Sequence, residues 1–520
     1  MEEINVVRKK LSGRGLGVAV AYPSLYTVAV KSLSYQMLYY YLNSLDDVYA
    51  ERFILRSASG REPVARSLET GRLLREFEVI LFSVHYEPDY VNIARLLEAG
   101  GVPPLSRDRR QLVVVGGPTV IANPEPLSEI ADVLAVGEIE VMLPLLVEAS
   151  LSHRGDKKAI LDELPPTKGF YVPIRGDDKV FYNYPSRLPL EFHPTAQVQP
   201  LDAKWRRTTM IEVSRGCPRG CRFCMEGHVF LPKRDRDLKD ITWIAERGRV
   251  LNDSSRVSLI ALSLFDHVEA DAILEYLIER GFHFSAPSLR LELLDEERLS
   301  LLASGGQRTL TLAPETASTR LSRALGKPLL REHLLEVART ARRVGFRSLK
   351  LYFMVGLPGE TGEDIKSVVE LVREVSAKSG FRGVRELKVS LSVFVPKPQT
   401  PMQWFGMDNW ESVRRKVEFI VSELGGLAGV RPYKPAWAYV QCMLARGGRE
   451  LTGLLLNWAS AGGGLGGWRR ALKASRLDFR RYVGPLSLDA ELPWSRVVLP
   501  ASSRLLSGYA ACLKLLEGAS

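Results

Sequence analysis

The sequence predicts an α/β protein with a doubly wound N-terminal domain, a partial (β/α)6 barrel and a small, mainly helical C-terminal domain. Short apolar runs that end in turn residues alternate with amphipathic segments, and this alternation occurs in two separate series. Continuous apolar strands separated by amphipathic helices indicate parallel sheets that are covered on both faces. The length of 520 residues predicts several domains, because it exceeds what one hydrophobic core usually covers.

Residues 1–165 contain the first series. The apolar runs LGVAVAYPS, VILFSVHY, LVVVGGP and DVLAVGE predict buried strands, and SLSYQMLYYYLNSL and YVNIARLLEAG predict helices between them. This order predicts the doubly wound domain, in which ligands bind at the carboxyl ends of the strands. Residues 166–205 follow, with a predicted hairpin around GDD and a proline-rich, nonperiodic linker.

The second series covers residues 206–405 and has six strand–helix units or nearly so. Its predicted strands are TTMIEVSRG, VSLIALSL, FHFSAPSLRLEL, TLTLAPE, SLKLYFMVG and LKVSLSVFV. Six such units are enough for a partial or complete barrel, and its chemistry also belongs at the carboxyl ends of the strands. The alternation then stops, and residues 406–520 are predicted as the mainly helical domain.

The composition is that of an ordinary globular protein with a basic balance. Lys and Arg total 71 against 60 Asp and Glu, a net charge of +11 that is compatible with a nucleic-acid partner and also common in basic cytosolic proteins. No run of about 18 apolar residues predicts a membrane span, and the first residues lack the features of a signal peptide. Five cysteines, three of them clustered, do not form a disulfide framework, so we expect a reducing, cytoplasmic location.

Three cysteines lie within eight positions, directly after the first barrel strand. Cys217, Cys221 and Cys224 follow the spacing Cys-x3-Cys-x2-Cys. A structural zinc site needs four ligands, and here the fourth would be His228 or a remote residue. A [4Fe–4S] cluster normally takes four thiolates, so three would leave one iron open for a substrate or cofactor. The spacing favours the cluster, and zinc remains the alternative.

The pattern Cys-x3-Cys-x-aromatic-Cys, with Phe223 in the aromatic position, resembles the signature of the radical S-adenosylmethionine (SAM) superfamily. The resemblance implies that the three cysteines hold three irons and that the fourth iron chelates the amino and carboxylate groups of SAM. One-electron reduction would then split SAM into methionine and a 5′-deoxyadenosyl radical. The implied electron donor is a flavodoxin-like or ferredoxin-like protein.

The same resemblance implies residues that contact SAM. TLAPETAS follows the fourth strand, where family members carry a polar residue for the SAM ribose, and YFMVGLPGET resembles the fifth-strand element beside the adenine. The alternative for Glu315 and Ser318 is that they cap the next helix. The predicted SAM contacts are Phe223, Ser263, Glu315, Ser318, Arg320 and Gly356.

The N-terminal domain resembles the cobalamin-binding class of radical SAM proteins in the segments LFSVHYEPDY, VVVGGPTVIANPEPL and LAVGEIEVMLPLL. The cobalamin contacts implied by this resemblance are Ser83, Gly116, Gly117, Gly137 and Glu138. Many cobalamin domains carry Asp-x-His-x-x-Gly after the first strand, but AYPSLYTVAV has no histidine there, and His85 does not fit that pattern. We therefore expect either cobalamin without a protein ligand or a fold that has lost the cofactor.

Motifs along nearly the whole chain, among them LAPETASTRLSRALGK and VFVPKPQTPMQW, resemble a little-characterised family of radical SAM proteins that contain a cobalamin-binding domain. The implied activity is methylation, methylthiolation or a related functionalisation of an unactivated carbon. RNA is one substrate class compatible with the basic balance, and a small molecule or lipid is another. The alternative function is a non-catalytic cobalamin- or nucleotide-binding module with a structural cluster, for which Cys442 is the remote thiol. The oligomeric state stays open.

Overall fold

A computed structural model describes residues 2–9, 15–202 and 204–517. Among them the chain forms two compact units, each assembled from more than one segment. Residues 406–520, which the sequence assigns to a domain of their own, are divided between both units. The first unit comprises Met1–Arg207, Met443–Tyr482 and Glu491–Pro500, and the second comprises Thr208–Cys442, Val483–Ala490 and Ala501–Ser520.

The first unit is built on a six-stranded sheet with the strand order β3-β2-β4-β5-β6-β7. All neighbours are parallel except β6 and β7. Its strands up to residue 207 are β1 (Glu3–Ile4), β2 (Leu16–Leu25), β3 (Val48–Leu55), β4 (Val79–Ser83), β5 (Leu112–Gly116), β6 (Val133–Ala135), β7 (Phe170–Tyr171), β8 (Val180–Phe181) and β9 (Gln199–Pro200). Its helices there are α1 (Tyr26–Ala29), α2 (Leu33–Ser44), α3 (Tyr90–Ala99), α4 (Pro118–Ala122), α5 (Ile139–Ser152) and α6 (Lys157–Asp162).

Burial explains why these apolar runs form central strands. The middle of β2 is inaccessible on both faces, since Ala19, Val20 and Ala21 are all fully buried. Parallel strands covered by helices on both sides require this continuous apolar pattern. The doubly wound architecture predicted from the sequence is confirmed by this sheet.

The predicted hairpin at residues 166–205 is wrong. Strand β7 pairs with β6 in antiparallel fashion, whereas β8 pairs in parallel with β19 (Val497–Val498), near the other end of the chain. Val180 donates its backbone N–H to the carbonyl of Arg496, 2.9 Å away. The backbone groups of β7 and β8 thus form their hydrogen bonds with two different strands. The GDD turn therefore does not pair β7 with β8.

The second unit contains the predicted partial barrel as two parallel sheets, with the orders β10-β13-β14 and β15-β16-β17-β18. Its strands are β10 (Thr209–Glu212), β11 (Ser214–Arg215), β12 (Arg234–Asp235), β13 (Arg256–Ile260), β14 (His283–Ser285), β15 (Thr309–Glu315), β16 (Ser348–Val355), β17 (Leu387–Val393) and β18 (Gly429–Pro432). The helices between them are α7 (Met225–Val229), α8 (Leu238–Leu251), α9 (Ala270–Glu279), α10 (Glu296–Ser304), α11 (Thr319–Ala324), α12 (Arg331–Arg343), α13 (Gly362–Ser379), α14 (Gly383–Glu386) and α15 (Trp410–Glu423).

The third barrel strand is much shorter than the apolar run FHFSAPSLRLEL predicts, because β14 ends at Ser285. The side chain of Gln307 takes the place of a neighbouring strand there. Its Oε1 accepts the N–H of Ala286 at 2.8 Å, and its Nε2 donates to the carbonyls of Ala286 and Thr309, each at 3.3 Å. One amide side chain therefore bridges the two sheets of the barrel.

The barrel strands alternate between fully buried side chains and half-buried ones. In β15 and β17 every second residue is buried, and the residues between them are only partly covered. The half-buried residues are mostly polar and include charged groups, whereas the fully buried residues are mostly apolar. On β15, β16 and β17 the half-buried residues are Thr309, Thr311, Ala313, Glu315, Lys350, Tyr352, Lys388, Ser390 and Ser392.

The remaining elements are mostly helical, as the sequence predicts for this region. They are α16 (Pro435–Arg446), α17 (Thr452–Ser460), α18 (Gly464–Ala474), α19 (Arg480–Val483) and α20 (Leu505–Glu517). Within the described residues, none of the helices has both the length and the apolar character needed to cross a membrane.

Candidate active site

The three clustered cysteines lie on one loop that begins at the end of the first barrel strand. Strands β11 and β12 pair in antiparallel fashion and close the base of this loop. Gly216 stands at the base with φ of +83°, and a Cβ there would lie 2.5 Å from the carbonyl oxygen of Phe230. Only glycine suits this position, so the loop needs it.

All three thiols of the loop are free. Cys221 is buried, and Cys217 and Cys224 are half-buried. Burial raises the pKa of the Cys217 thiol, and it raises the pKa of the Cys224 thiol to about 12. Such thiols need a cation or a metal to become thiolates at neutral pH.

A guanidinium lies against the buried thiol. Arg290 Nη1 is 3.2 Å from Cys221 Sγ, and Glu292 holds the same guanidinium through Nε at 2.7 Å. Arg219 on the cysteine loop forms a second pair with Asp266, with Nε and Oδ2 2.9 Å apart. The loops after β13 and β14 therefore place charged side chains of both signs beside the thiols. These residues are far from the cysteines in the sequence, so no local motif predicts the contacts.

His228 is buried, and its Nε2 lies 3.2 Å from the carbonyl oxygen of Cys221. Burial lowers the pKa of this imidazole. The ring therefore braces the backbone of the cysteine loop. Among the described residues, no group of three or more His, Cys, Asp and Glu side chains is arranged around a single metal ion. The thiolates of a [4Fe–4S] cluster each bind a different iron.

The aromatic position of the motif anchors the loop in an apolar cluster. Phe223 packs against this cluster together with Phe405 and two leucines of α20. Arg222, its neighbour, donates its backbone N–H to Leu325 at 2.9 Å and accepts the N–H of Met402 at 3.2 Å. The buried members of the cluster are Leu321, Ala324, Leu325, Met354, Leu357, Phe394, Met402 and Cys512.

Glu315 lies at the carboxyl end of β15 in an unusual backbone conformation. Its φ is +66°, which a residue with a side chain adopts only at a cost of about 1–3 kcal/mol. Its carboxylate pairs with Lys327 at 2.8 Å and is half-buried. The helix-capping alternative holds for Ser318 instead, which accepts the N–H of Leu321 at 3.4 Å.

Two other predicted SAM contacts are engaged within the second unit. Arg320 donates to the carbonyl of Gly359 at 2.7 Å and to Asp364 at 2.9 Å, so it fastens α11 to the start of α13. Gly356 donates its N–H to Glu360 at 2.7 Å. Lys416 neutralises Glu360 at 2.8 Å. These groups shape the turn after β16.

Ser263 lies buried after β13, beside the charged residues around the thiols. Burial opposes ionisation of the nearby Asp266, but the hydrogen bonds and charge of Arg219 outweigh this effect and lower the pKa of Asp266. The structure therefore brings Ser263 to the same end of the barrel as the cysteine loop.

In the first unit, the predicted glycines lie at strand ends but pack against other parts of the protein. A Cβ on Gly117 would lie 2.1 Å from the carbonyl oxygen of Val84, and one on Gly137 would lie 2.6 Å from that of Asn183. A Cβ on Gly116 would lie 3.3 Å from the Cβ of Ala135. Internal packing is thus sufficient to require glycine at positions 117 and 137.

The two polar residues predicted for the same edge differ in their surroundings. Glu138 is buried and accepts a hydrogen bond from the hydroxyl of Tyr182 at 2.5 Å. Ser83 is the last residue of β4, and its hydroxyl bonds to Ser34 at 3.0 Å and to His85 at 3.1 Å. His85 does not match the Asp-x-His-x-x-Gly motif, yet the fold places it at this edge.

Two family models match the chain. The model for the N-terminal region of radical SAM proteins covers residues 34–173, and the model of the radical SAM superfamily covers residues 211–372, which include the three cysteines. The chain belongs to the radical SAM superfamily. As a radical SAM enzyme it carries the catalytic barrel of that superfamily in its second unit.

Related proteins of this radical SAM enzyme include several without a characterised activity. An uncharacterized protein of Methanocaldococcus jannaschii is 29% identical over 84% of this chain and 89% of its own length. An uncharacterized methyltransferase of Pyrococcus horikoshii is 23% identical over 56% of this chain and 65% of its own length. A tRNA-2-methylthio-N(6)-dimethylallyladenosine synthase of Desulforamulus reducens is 25% identical over 36% and 44%.

Two solved structures are similar in fold. The radical SAM methyltransferase TsrM of Kitasatospora setae, with cobalamin and a [4Fe–4S] cluster bound, gives a TM-score of 0.51 at 14% identity, covering 75% of this chain and 74% of TsrM. The cobalamin-dependent radical SAM enzyme OxsB, with aqua-cobalamin and SAM bound, gives a TM-score of 0.52 at 14% identity. The match covers 96% of this chain and 80% of OxsB. The predicted family and fold class are confirmed.

Proposed function

We propose that this radical SAM enzyme binds a [4Fe–4S] cluster through Cys217, Cys221 and Cys224 and uses SAM to methylate or otherwise functionalise an unactivated carbon. One observation carries the proposal: three free thiols share one loop at the carboxyl end of the first barrel strand. The other thiols, Cys442 and Cys512, are fully buried elsewhere in the chain. A cluster held by three thiolates has one open iron for SAM.

The residues around the thiols fit such a cluster. Arg290 donates toward the Cys221 sulfur, and a cation here favours the thiolate that binds iron. Phe223 anchors the loop in its apolar cluster, and His228 braces the loop backbone. The bound cluster would supply the electron that cleaves SAM, delivered by a one-electron donor of the flavodoxin or ferredoxin kind. The protein supplies orientation and electrostatics.

Glu315 is the residue we propose for the SAM ribose, since its carboxylate stands at the barrel edge on a strained backbone. Strain of this kind is concentrated at functional sites. Ser263 completes the polar lining near the thiols. We propose that Ser318, Arg320 and Gly356 act indirectly, because each fixes the turns that carry the SAM site.

Cobalamin is the second cofactor that we propose, bound at the carboxyl edge of the first unit's sheet. Support comes from the doubly wound topology and from the fold shared with cobalamin-binding TsrM and OxsB. The edge presents hydroxyls of Ser34 and Ser83 and the accessible ring of His85. Neutral donors and acceptors of this kind suit a corrin, whose rim carries amides. Ser83, Gly116, Gly117, Gly137 and Glu138 remain our predicted contacts.

We propose an RNA substrate. The net charge of +11 supports this class, because phosphate contacts dominate the affinity of proteins for nucleic acids. One relative, matched over 36% of this chain, is named a tRNA-2-methylthio-N(6)-dimethylallyladenosine synthase.

Anaerobic reconstitution tests the central proposal. Purified protein is loaded with iron and sulfide, reduced with dithionite and given SAM, and the nucleoside products are separated chromatographically. We expect 5′-deoxyadenosine or S-adenosylhomocysteine. Alanine at Cys217, Cys221 or Cys224 should abolish product formation, whereas the matched control Cys442→Ala should retain it. A filled cluster without any cleavage of SAM would instead favour a non-catalytic module.

A further inference from the structure

The doubly wound sheet has one topological switch point. In the order β3-β2-β4-β5, the chain leaves β2 toward one edge of the sheet and leaves β4 toward the other. A crevice opens where neighbouring strands diverge in this way, outside their carboxyl ends, and ligands bind there. The crevice of the first unit therefore lies between the end of β2 and the end of β4.

A hydrogen-bonded cluster occupies this crevice. His85 follows β4 by two residues, and its Nε2 lies 2.9 Å from the hydroxyl of Ser34 and 3.1 Å from that of Ser83. The two hydroxyls are 3.0 Å apart, and Ser32 lies 3.1 Å from Ser34. The ring of Tyr22, near the end of β2, stacks on the imidazole with centroids 6.0 Å apart. Residues from β2, α2 and β4 thus fix one ring.

The imidazole of His85 is accessible to a ligand, because its side chain is exposed at the carboxyl end of the sheet. Both serine hydroxyls can accept a hydrogen bond from Nε2, and we propose the tautomer that carries its proton there. Nδ1 then carries the lone pair, and no described residue donates a hydrogen bond to it. A neutral imidazole whose other nitrogen is held by a polar partner is the usual arrangement of a metal-binding histidine.

The switch point also explains why a histidine after β4 can serve where one after β2 is missing. Strands β2 and β4 are hydrogen-bonded neighbours, with Ala21 opposite Phe82. Side chains that follow either strand therefore reach the same crevice. The absence of Asp-x-His-x-x-Gly after β2 does not deprive the crevice of an imidazole.

We propose that Nδ1 of His85 is the protein ligand to the cobalt of a corrinoid bound at this crevice, with Ser34 and Ser83 holding the ring. The proposal rests on the cobalamin part of the proposed function. It replaces the expectation that cobalamin would bind here without a protein ligand.

Electron paramagnetic resonance of the cob(II)alamin state tests this assignment. The full chain is produced with 15N-labelled histidine and reconstituted with unlabelled cobalamin. An axial 15N nucleus splits each cobalt line in two, whereas the 14N of the cofactor's own base splits it in three. We expect the twofold splitting in labelled protein and the threefold splitting in unlabelled protein. Threefold splitting in both samples, or none, would overturn the proposal.

Variants separate this proposal from the broader one. His85→Ala should bind cobalamin and lose the histidine splitting, and added imidazole should restore a nitrogen splitting. His153→Ala, which removes a half-exposed histidine of the same unit, should keep the wild-type spectrum. A wild-type protein that takes up no corrinoid would refute cobalamin binding itself. Corrinoid bound without a histidine signal would refute only the role of His85. If His85→Ala does not fold, the labelled wild type still decides.

Discussion

At the scale of single residues, Arg290 connects the barrel loops to the chemistry of the thiols. Its guanidinium contacts Cys221 Sγ and is itself held by Glu292, so its position is fixed before any cofactor binds. Hydrogen bonds and positive charge at cluster sulfurs stabilise the more negative, reduced state. Arg290 should therefore set the reduction potential of the cluster.

Arg290→Met should lower the midpoint potential of the reconstituted cluster, because the reduced state loses both a hydrogen bond and a neighbouring cation. The potential is measured by a redox titration followed by electron paramagnetic resonance. Arg290→Lys should shift it less, since the charge remains. Arg280→Met, which removes an exposed arginine paired with Glu246, is the control and should leave the potential unchanged. An unchanged potential in Arg290→Met would contradict the assigned role.

Asp89 predicts a pH dependence of stability. Burial raises its carboxyl pKa from 3.8 to about 7, so the folded state binds a proton more tightly than the unfolded state. The folded state therefore loses stability as pH rises from about 4 to about 7. Asp89→Asn should raise the thermal unfolding midpoint at pH 8 and not at pH 4. Asp108→Asn, at an exposed site of the same unit, should show no such difference. Equal effects of Asp89→Asn at both pH values would refute this cause.

At the scale of elements, α20 supports the cysteine loop from outside the barrel. Leu515 and Leu516 pack on the apolar cluster that also anchors Phe223. The helix lies close to the turn at residues 401–404, because Gly508 has no Cβ. A C-terminal helix thus helps to hold a loop that precedes it by nearly 300 residues.

Gly508→Ala should destabilise the second unit, although alanine normally stabilises a helix relative to glycine. The added Cβ would lie 2.7 Å from Cγ of Pro401, too close for either atom. Gly453→Ala in α17 is the matched control. Its Cβ meets no atom within 4 Å, so it should gain about 0.4–1 kcal/mol. Chemical denaturation and iron retention after desalting measure both effects. Unchanged stability in Gly508→Ala would mean that α20 shifts freely.

At the scale of the whole molecule, local patterns in the sequence were sufficient for the fold class and the cysteine motif. Apolar periodicity marks the buried strands, and the three clustered cysteines lie within a span of eight positions. Contacts between distant segments were not predictable. The Arg290–Cys221 contact joins residues 69 positions apart, and β8 pairs with a strand from the far end of the chain. The motif Asp-x-His-x-x-Gly concerns the strand β2, whereas His85 follows β4, and only the pairing of β2 with β4 brings it to the same crevice.

RNA binding should depend steeply on salt if the substrate is RNA, because phosphate contacts release counterions. Fluorescence anisotropy with a labelled RNA, at about 50 and 200 mM salt, should show affinity falling by at least about tenfold. An uncharged peptide nucleic acid of the same sequence is the control and should bind weakly at both concentrations. Binding without salt dependence, or no binding, would favour a small-molecule substrate.

The bridge made by Gln307 has a consequence for local unfolding. The hydrogen bonds between two paired strands are shared among several residues and break cooperatively. The hydrogen bonds of one side chain are all lost when that one residue moves. The junction between β14 and β15 therefore depends on the single residue Gln307 more than a junction of paired strands depends on any one residue. The cysteine loop follows β10 of the three-stranded sheet. Glu315 is the last residue of β15, which belongs to the four-stranded sheet. Loss of this junction would separate the three cysteines from Glu315, the residue proposed for the SAM ribose. Gln307 therefore helps to hold the two sites next to each other.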